Sequence, residues 1–410
     1  MIQAAVFGFG NIGSGVVAVL EENREQIARV IPGGIAVKYI LDIRDFPDSP
    51  YADRIVHDVD VILNDPEISV VCETMGGKEP AYTFSRRALE RGISVCSSNK
   101  ELVEAFGPKL LAAAAEHHCS YLFEASVGGG IPLITPMLNC LVQEKITEVM
   151  GILNGTTNYM LTKMQHCGAD YGKVLQEAQE LGYAERDPRA DVEGHDTGRK
   201  IAILSSLMCG KTVRYDEISC EGITKITPED FVFAAQHGYT IRLLGMSRLQ
   251  EDAVSVLTAP FLVPEGHPLY GVTDVFNGVL VHGTMVDDVM FYGRGAGKLP
   301  TGSAVAADMI LASRNIGSTV PIAWSEELMP VVPAGERISA FFIRGDKAQE
   351  EAVLKALDGK LEAVWEAEDS LEGDETFALV TKEYREKEIY NALEEISGIR
   401  SMIRMLPKEA

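Results

Sequence analysis

Basic residues are in short supply in this chain, and the deficit limits its partners. Lys and Arg number 37 against 60 Asp and Glu in 410 residues, a net charge of −23. Nucleic acid is held by clustered cations, so no nucleic-acid partner is expected. Cysteine is sparse as well. The seven present are odd in number and lack any CxxC spacing, which argues against a disulfide framework or a zinc site and fits a reducing compartment. No apolar run reaches bilayer-spanning length, so no membrane partner is expected. The opening MIQAAVFGFG has neither the basic region nor the cleavage pattern of a secretory signal, so the protein is expected in the cytoplasm. With 46% hydrophobic and 24% charged residues the composition is that of a globular protein, and its length predicts two or three domains.

The chain opens with a short apolar run, Gln3 to Phe7. Gly8, Gly10 and Gly13 of GFGNIG follow, and then Val16, Val17, Leu20 and Ile27 at helical spacing. This spacing predicts strand, glycine turn and helix. Gly8 allows the tight turn, Gly10 lets the backbone approach a pyrophosphate, and Gly13 lets helix and strand pack closely; the helix start supplies amide donors. A nicotinamide dinucleotide is the ligand this pattern suits. The next strand, Ile35 to Leu41, delivers Asp42 and Arg44 to the adenosine ribose. An acid there accepts from a free 2′-hydroxyl and favours NAD, whereas a guanidinium pairs with a 2′-phosphate and favours NADP. NADP is the preferred expectation, with NAD retained.

Strand and helix patterns then alternate: Ile68 to Glu73 with Glu79 to Arg91, Ile93 to Ser97 with Glu101 to His118, and Tyr121 to Ala125. Alternation predicts a parallel sheet with ligands at the carboxyl ends of its strands. ETMGG (Glu73 to Gly77) and SSNK, ending at Lys100, lie at that rim. EASVGGGIP (Glu124 to Pro132) packs three glycines together and suits either a hinge or a loop that turns its carbonyls onto a monovalent cation.

From Lys145 the pattern changes. Ile146 to Leu153 reads as a strand ending in NGTTNYML, a turn and helix cap rich in hydroxyls and amides. Helices and three strand-like runs follow (Thr240 to Leu249, Ala253 to Val263, Phe276 to Phe291), predicting a second, largely antiparallel sheet of the kind that supplies subunit interfaces. GRGAGKLPTGSAVAAD, from Gly293, is a second glycine-rich helix start that suggests a return to the cofactor domain. After VVPAG (Val331 to Gly335), strands at Ile338 to Arg344, Glu362 to Glu366, Phe377 to Thr381 and Ser401 to Leu406, with helices at Lys347 to Leu357 and Glu386 to Ile396, give a small βαββαβ domain.

The most charged loop, GYAERDPRADVEGHDTGRK (Gly182 to Lys200), sits between two apolar helical patterns. Taken alone it is a solvated turn or a rigid cradle for a small zwitterion. Asp196 and Lys200 are four apart on one helix face, so the carboxylate can hold the ammonium in place. A lysine so held can protonate an alkoxide left by hydride transfer to a carbonyl, with Glu185 and Asp191 left to receive a substrate ammonium.

This stretch resembles the homoserine dehydrogenase signature G-Y-x-E-x-D-P-x-x-D-x-x-G-x-D-x-x-x-K. GFGNIG, ETMGG, SSNK, EASVGGGIP, NGTTNY and GRGAG occur in the family's order, so the resemblance covers about residues 1 to 325. It implies NAD(P)-dependent interconversion of L-aspartate 4-semialdehyde and L-homoserine, in threonine and methionine biosynthesis. By the same resemblance Lys200 is the proton donor, Asp196 its orienting acid and Lys100 a second active-site lysine. Glu185, Asp191 and Thr156 would bind substrate. Gly8, Gly10, Asn11, Ile12, Gly13, Arg44, Thr74, Lys100, Gly182 and Gly297 would contact the cofactor. Main-chain oxygens of Glu124, Val127, Gly129 and Ile131 would bind sodium.

The implied fold class is α/β. A Rossmann-type domain spans 1–130, completed by 301–330; an α+β substrate and dimerisation domain spans 131–300; an ACT-like βαββαβ domain spans 335–410. A homodimer or homotetramer is expected, with the site formed where domains meet. FFIRGDKAQEEA lacks the D-x-P-G turn of ACT domains that bind an amino acid, so a role in assembly is expected rather than threonine inhibition. No kinase-like region precedes the dehydrogenase pattern, so a bifunctional fusion is not expected. Two alternatives stand beside this one, another Rossmann dehydrogenase acting on an amino acid and a non-catalytic NADP-binding sensor. The Asp196 and Lys200 pair speaks against the sensor, which has no need of a proton donor.

Overall fold

The computed structural model describes residues 1–366 and 376–408. Its strands are β1 (Ile2–Phe7), β2 (Ile35–Leu41), β3 (Ile55–Val56), β4 (Ile68–Glu73), β5 (Ser94–Ser97) and β6 (Tyr121–Leu122), then β7 (Ile146–Ile152), β8 (Ser219–Cys220), β9 (Tyr239–Leu249), β10 (Val254–Pro264), β11 (Phe276–Gly283) and β12 (Asp287–Arg294). Five more follow: β13 (Ile338–Asp346), β14 (Leu361–Trp365), β15 (Thr376–Thr381), β16 (Tyr384–Arg385) and β17 (Ile399–Met405). The chain forms two compact units. The first comprises Met1–Lys145, Ala202–Arg214 and Phe291–Met329; the second comprises Ile146–Ile201, Tyr215–Met290 and Pro330–Ala410.

In the first unit six parallel strands are ordered β3-β2-β1-β4-β5-β6. This is the doubly wound dinucleotide-binding order, and it reverses between β1 and β4, where ligands bind. Ala4 to Phe7 and Val70 to Cys72 are wholly buried, as strands covered on both faces must be, which is why they read as apolar runs without alternation. The sequence reading passes over β3 and the helix Val59–Leu63, because two strand residues and five helical ones are too short to show a period. Helices Asn11–Glu22 and Lys298–Arg314 meet at glycines. A Cβ on Gly15 would lie 2.3 Å from the Lys298 carbonyl oxygen, and one on Gly302 would lie 2.7 Å from the Gly15 carbonyl carbon.

The second unit is built on a mixed sheet ordered β12-β11-β7-β9-β10-β17-β13-β15-β14, with β8 paired to β10 and β16 to β13. β9 and β10 pair antiparallel over 11 residues each. The run Phe276 to Phe291, expected as one strand, is a hairpin: β11 stops at Gly283, and Asp287 enters β12 with φ of 57°. Aspartate tolerates this left-handed conformation, and the run's one Asn-Gly pair, Asn277–Gly278, lies inside β11 rather than at the turn. Strands β13, β14, β15 and β17 and the helices Glu350–Ala356 and Glu386–Leu393 follow in βαββαβ order. β17 pairs in parallel with β10, at Phe261 with Arg404 and Leu262 with Met405, so the C-terminal strands continue the sheet of the middle region.

Buried charges tie these strands together. Arg404, 1% exposed, donates to both Glu386 oxygens at 2.8 Å and to Glu221 Oε2 at 2.8 Å. Arg344 donates to Asp230 Oδ1 at 2.8 Å, and Ser401 Oγ donates to the same oxygen at 2.6 Å. Burial works to raise the Glu386 pKa, but Arg404 and Arg337 outweigh it and the net shift is downward. With the folded value below the unfolded one, the contribution of Glu386 is complete above about pH 4.3 and is lost as pH falls through the carboxylate range. Replacing Arg404 by Met takes the two 2.8 Å arginine bonds from Glu386 and leaves it Arg337 at 3.2 and 3.4 Å and Ser339 Oγ at 2.9 Å. Urea unfolding at pH 7 is expected to show a loss of about 3 kcal/mol, and the gap between parent and variant should narrow toward pH 4.

Candidate active site

Asp196 and Lys200 lie on the helix His195–Cys209, which the chain enters through Gly194 at φ of 83°. Gly245 eases the seating of this helix on β9, since a Cβ there would stand 3.0 Å from Thr197 Cγ2 and 3.1 Å from Ile201 Cβ and those side chains would have to give. Four residues apart, the two charged side chains share a helix face. Lys200 Nζ donates to Asp196 Oδ2 at 2.7 Å and to the Leu153 carbonyl, just past β7, at 2.7 Å. The two side chains are only 11% and 4% exposed, so this is no solvated surface pair.

Asn154, next in sequence, caps the helix Gly155–Cys167 by accepting from Thr157 N at 2.9 Å. Its Nδ2 donates to Asp191 Oδ1 at 2.7 Å and to Asp196 Oδ2 at 2.9 Å. The structure therefore gathers Asp191, Asp196 and Lys200 in one cluster. Thr156 Oγ1 donates to the Tyr183 carbonyl at 2.7 Å, fastening the signature loop, which Gly182 turns at φ of 76°, to the start of the neighbouring helix. Glu185 is exposed. Its carbonyl accepts from Gln179 Nε2 at 3.0 Å, and its carboxylate joins no hydrogen bond among the described residues. Asp187 is forked by Arg189 and faces solvent. Sequence reasoning missed Asn154 and the Leu153 carbonyl as cluster members. The cap pattern pointed to Asn154 only as a helix start, and a carbonyl has no sequence signature.

In the first unit Gly8, at φ of 92°, turns the chain after β1. A Cβ on Gly13 would lie 1.9 Å from the Gly8 carbonyl oxygen, whereas one on Gly10 would meet nothing within 4 Å. Thr74 Oγ1, just past β4, donates toward the Phe7 and Gly8 carbonyls at 3.1 and 2.9 Å, locking the turn. The N-cap of the helix beginning Asn11–Ile12–Gly13 is Gly10, which has no side chain to cap it, so its first amides suit an anion. Gly297, at φ of 122°, opens the helix Lys298–Arg314, likewise without a side-chain cap.

Asp42 and Arg44, opposed in their meaning for the ribose, form a single ion pair. Arg44 Nε donates to Asp42 Oδ1 at 2.9 Å and Nη2 to Oδ2 at 3.0 Å, while Oδ2 also accepts from Phe9 N at 2.8 Å. The Arg44 hydrogen bonds, opposed by burial, bring the Asp42 carboxyl down to about 2. The Arg44 guanidinium lies 5.0 Å from the Phe46 ring centroid. Lys100 begins the helix Lys100–Glu116, which Asn99 caps at Leu102 N. Glu73 is fully buried and holds the ETMGG turn, accepting from Met75 N at 2.8 Å and Ser97 Oγ at 2.7 Å; burial pushes its pKa up.

The glycine-rich loop after β6 consumes its one acidic side chain. Glu124 accepts from the amides of Leu133, Ile134 and Thr135 at 2.6, 2.7 and 2.7 Å. Among the described residues the buried carbonyls of Val127, Gly129 and Ile131 accept no hydrogen bond, and that of Glu124 has only a 3.5 Å approach from Val127 N. Buried carbonyl oxygens left this way suit a hard cation. All seven cysteines are free, and burial pushes the thiols of Cys72, Cys96, Cys119, Cys209 and Cys220 upward, away from a nucleophilic thiolate.

Comparison with known proteins agrees across the chain. A homoserine dehydrogenase family model matches residues 132–310, and a model of the homoserine dehydrogenase NAD binding domain matches residues 8–124. The homoserine dehydrogenase of Mycobacterium tuberculosis (strain H37Rv) is 39% identical over 368 residues, covering 87% of this chain and 82% of that protein. That of Bacillus subtilis (strain 168) is 38% identical over 319 residues, 77% and 73% of the respective lengths. The crystal structure of a homoserine dehydrogenase from Thiobacillus denitrificans superposes with a TM-score of 0.90 at 31% identity, covering 99% of this chain and 98% of that one.

The two glycines of the first turn separate folding from ligand approach. Gly13→Ala is expected to lower the thermal midpoint and dinucleotide affinity together, because its Cβ collides with the turn itself. Gly10→Ala should leave the midpoint near the parent's and still weaken the dinucleotide by about tenfold, as its Cβ enters the space a pyrophosphate needs. Fluorescence titration beside a thermal melt measures both.

Proposed function

The chain belongs to the homoserine dehydrogenase family, and from that premise we propose which of its residues perform the reaction. The protein is an NAD(P)-dependent oxidoreductase that interconverts L-aspartate 4-semialdehyde and L-homoserine. A nicotinamide cofactor, when bound, would supply the hydride that passes between its ring and the aldehyde carbon. Lys200 donates a hydrogen bond to the carbonyl oxygen and then a proton as negative charge develops there; in reverse it accepts the alcohol proton. Asp196 holds the ammonium on its helix face. Asp191 takes the substrate ammonium, with Thr156 and Glu185 beside it on the signature loop. The observation that carries this assignment is the part-buried Lys200 ammonium held at 2.7 Å by both Asp196 and the Leu153 carbonyl. A lysine engaged only by acceptors keeps N–H donors fixed in direction, with one of its three N–H groups left for substrate by these two bonds.

We assign dinucleotide binding to 1–130 completed by 301–330, substrate binding and dimerisation to 131–300, and an ACT-like role in assembly to 335–410. Gly8, Gly10, Asn11, Ile12 and Gly13 receive the pyrophosphate, with Thr74, Lys100, Gly182 and Gly297 as further cofactor contacts. NADP is the favoured cofactor. Both Asp42 oxygens are committed to Arg44, so the acceptor that a free 2′-hydroxyl needs is neutralised, while the guanidinium stands ready for a 2′-phosphate. The carbonyls of Glu124, Val127, Gly129 and Ile131 fit a sodium ion. The product feeds threonine and methionine synthesis in the cytoplasm, and a homodimer or homotetramer is the working form.

NADPH oxidation by the purified protein with aspartate semialdehyde tests the assignment. Lys200→Ala should lower kcat by about 10² to 10⁴-fold, and a variant with the parent's kcat removes Lys200 from the mechanism. For the cofactor, Arg44→Ala frees Asp42. The ratio of kcat/KM with NADPH to that with NADH is expected to fall by about tenfold or more, and an unchanged ratio would place the selectivity elsewhere.

A further inference from the structure

Asn154 is the most constrained polar side chain of the cluster, and the proton-transfer scheme leaves it without a task. It is 6% exposed and uses every hydrogen-bonding position of its amide. Oδ1 accepts from Thr157 N at 2.9 Å and from Thr157 Oγ1 at 3.0 Å; Nδ2 donates to Asp191 Oδ1 at 2.7 Å and to Asp196 Oδ2 at 2.9 Å. The amide orientation is not free to flip, because Thr157 N can only donate and so demands the oxygen, which turns both N–H groups toward the acids. One planar NH2 thus spans two carboxylates that would otherwise repel each other in a poorly hydrated place. Leu153, the preceding residue, takes Lys200 on its carbonyl. A single dipeptide, fixed by the end of β7 on one side and a helix cap on the other, therefore bonds all three of Asp191, Asp196 and Lys200.

We infer that Asn154 is a positioning residue that sets the separation between Asp191 and Lys200, and thereby the length of amino-acid substrate the site accepts. This rests on the proposed roles of those two residues at the ammonium and carbonyl ends. Hydride transfer requires the reacting oxygen to meet Lys200 while the ammonium meets Asp191. A substrate one methylene longer overshoots if that separation is rigid and is tolerated if Asp191 can move. An amide is the group this place requires. A carboxylate of the same shape would add a third negative charge, and a hydroxyl would cap the helix but fall short of both acids.

Asn154→Ser separates the cap from the bridge, since serine is among the preferred capping residues. The readouts are kcat and KM for L-homoserine and for its homologue one methylene longer, 2-amino-5-hydroxypentanoate, together with KM for NADP and the thermal midpoint. With the midpoint and the KM for NADP near the parent's, kcat/KM for homoserine is expected to fall by about 10 to 100-fold, while its preference over the longer alcohol narrows. Asn154→Asp, which keeps the cap oxygen and removes the donors, should show the same loss of preference. Parental kcat/KM and parental discrimination in the serine variant would overturn the inference. So would equal losses on both alcohols with a lowered midpoint, which would mark Asn154 as a cap alone. Lys200→Ala in the same assay keeps the two readings apart: a fully active lysine variant defeats the proton-donor assignment, whereas an inactive one beside an unaltered serine variant defeats only the role of Asn154.

Discussion

A lysine ammonium that is nearly buried must be surrounded by acceptors or give up its charge, and the second unit of this protein is arranged to meet that demand. Lys200 has Asp196 one helical turn before it and the Leu153 carbonyl across from it, each at 2.7 Å. The first contact needs only helical phase. The second needs β7 to end where it does, with the next helix starting at once so that Leu153 leaves its carbonyl unclaimed by a strand partner. Asn154 makes that abrupt change of structure possible, and the glycine at 245 lets the lysine-bearing helix come close enough to β9 to use it.

The same economy governs the first unit, where the limiting quantity is space. The turn after β1 is closed by carbonyl and hydroxyl contacts so tight that a methyl group on Gly13 has no place, yet the neighbouring Gly10 faces open space. Glycine thus serves two opposite ends within four residues: contact at one position and clearance at the other. Arg44 and Asp42 add a second economy. Each would be a recognition element alone; paired, the carboxylate oxygens are engaged while the guanidinium, resting over Phe46, keeps three of its five N–H groups beyond the two given to the Asp42 side chain.

What could be read from the sequence follows from which features leave a side-chain trace. Glycine spacing, the apolar runs of the parallel strands, the βαββαβ order and the i,i+4 pair of Asp196 and Lys200 all do, and each is present in the fold. Asn154 was visible as a cap but not as a bridge, because its acids lie 37 and 42 residues away in sequence. The Leu153 carbonyl left no trace at all. The hairpin within 276–291 was hidden for a different reason: Asp287 takes the left-handed conformation that a sequence reader assigns to glycine or asparagine. Nor does a sequence announce that β17 pairs with β10, since strand order is decided by long-range pairing rather than local pattern.

Asp196 has a subtler part than holding Lys200 still. The Oδ2 that accepts from the Lys200 ammonium at 2.7 Å also accepts from Asn154 Nδ2 at 2.9 Å, so one oxygen orients the lysine and ties it to the helix cap. Lys200 is thereby held in direction. Direction is what reduction requires of it, because the alkoxide formed by hydride transfer is a far stronger base than either amine or carboxylate. Once that alkoxide exists, proton transfer from a correctly aimed ammonium is downhill. In the oxidative direction the alcohol proton returns to the same aimed nitrogen. One geometry therefore serves both directions of the reaction.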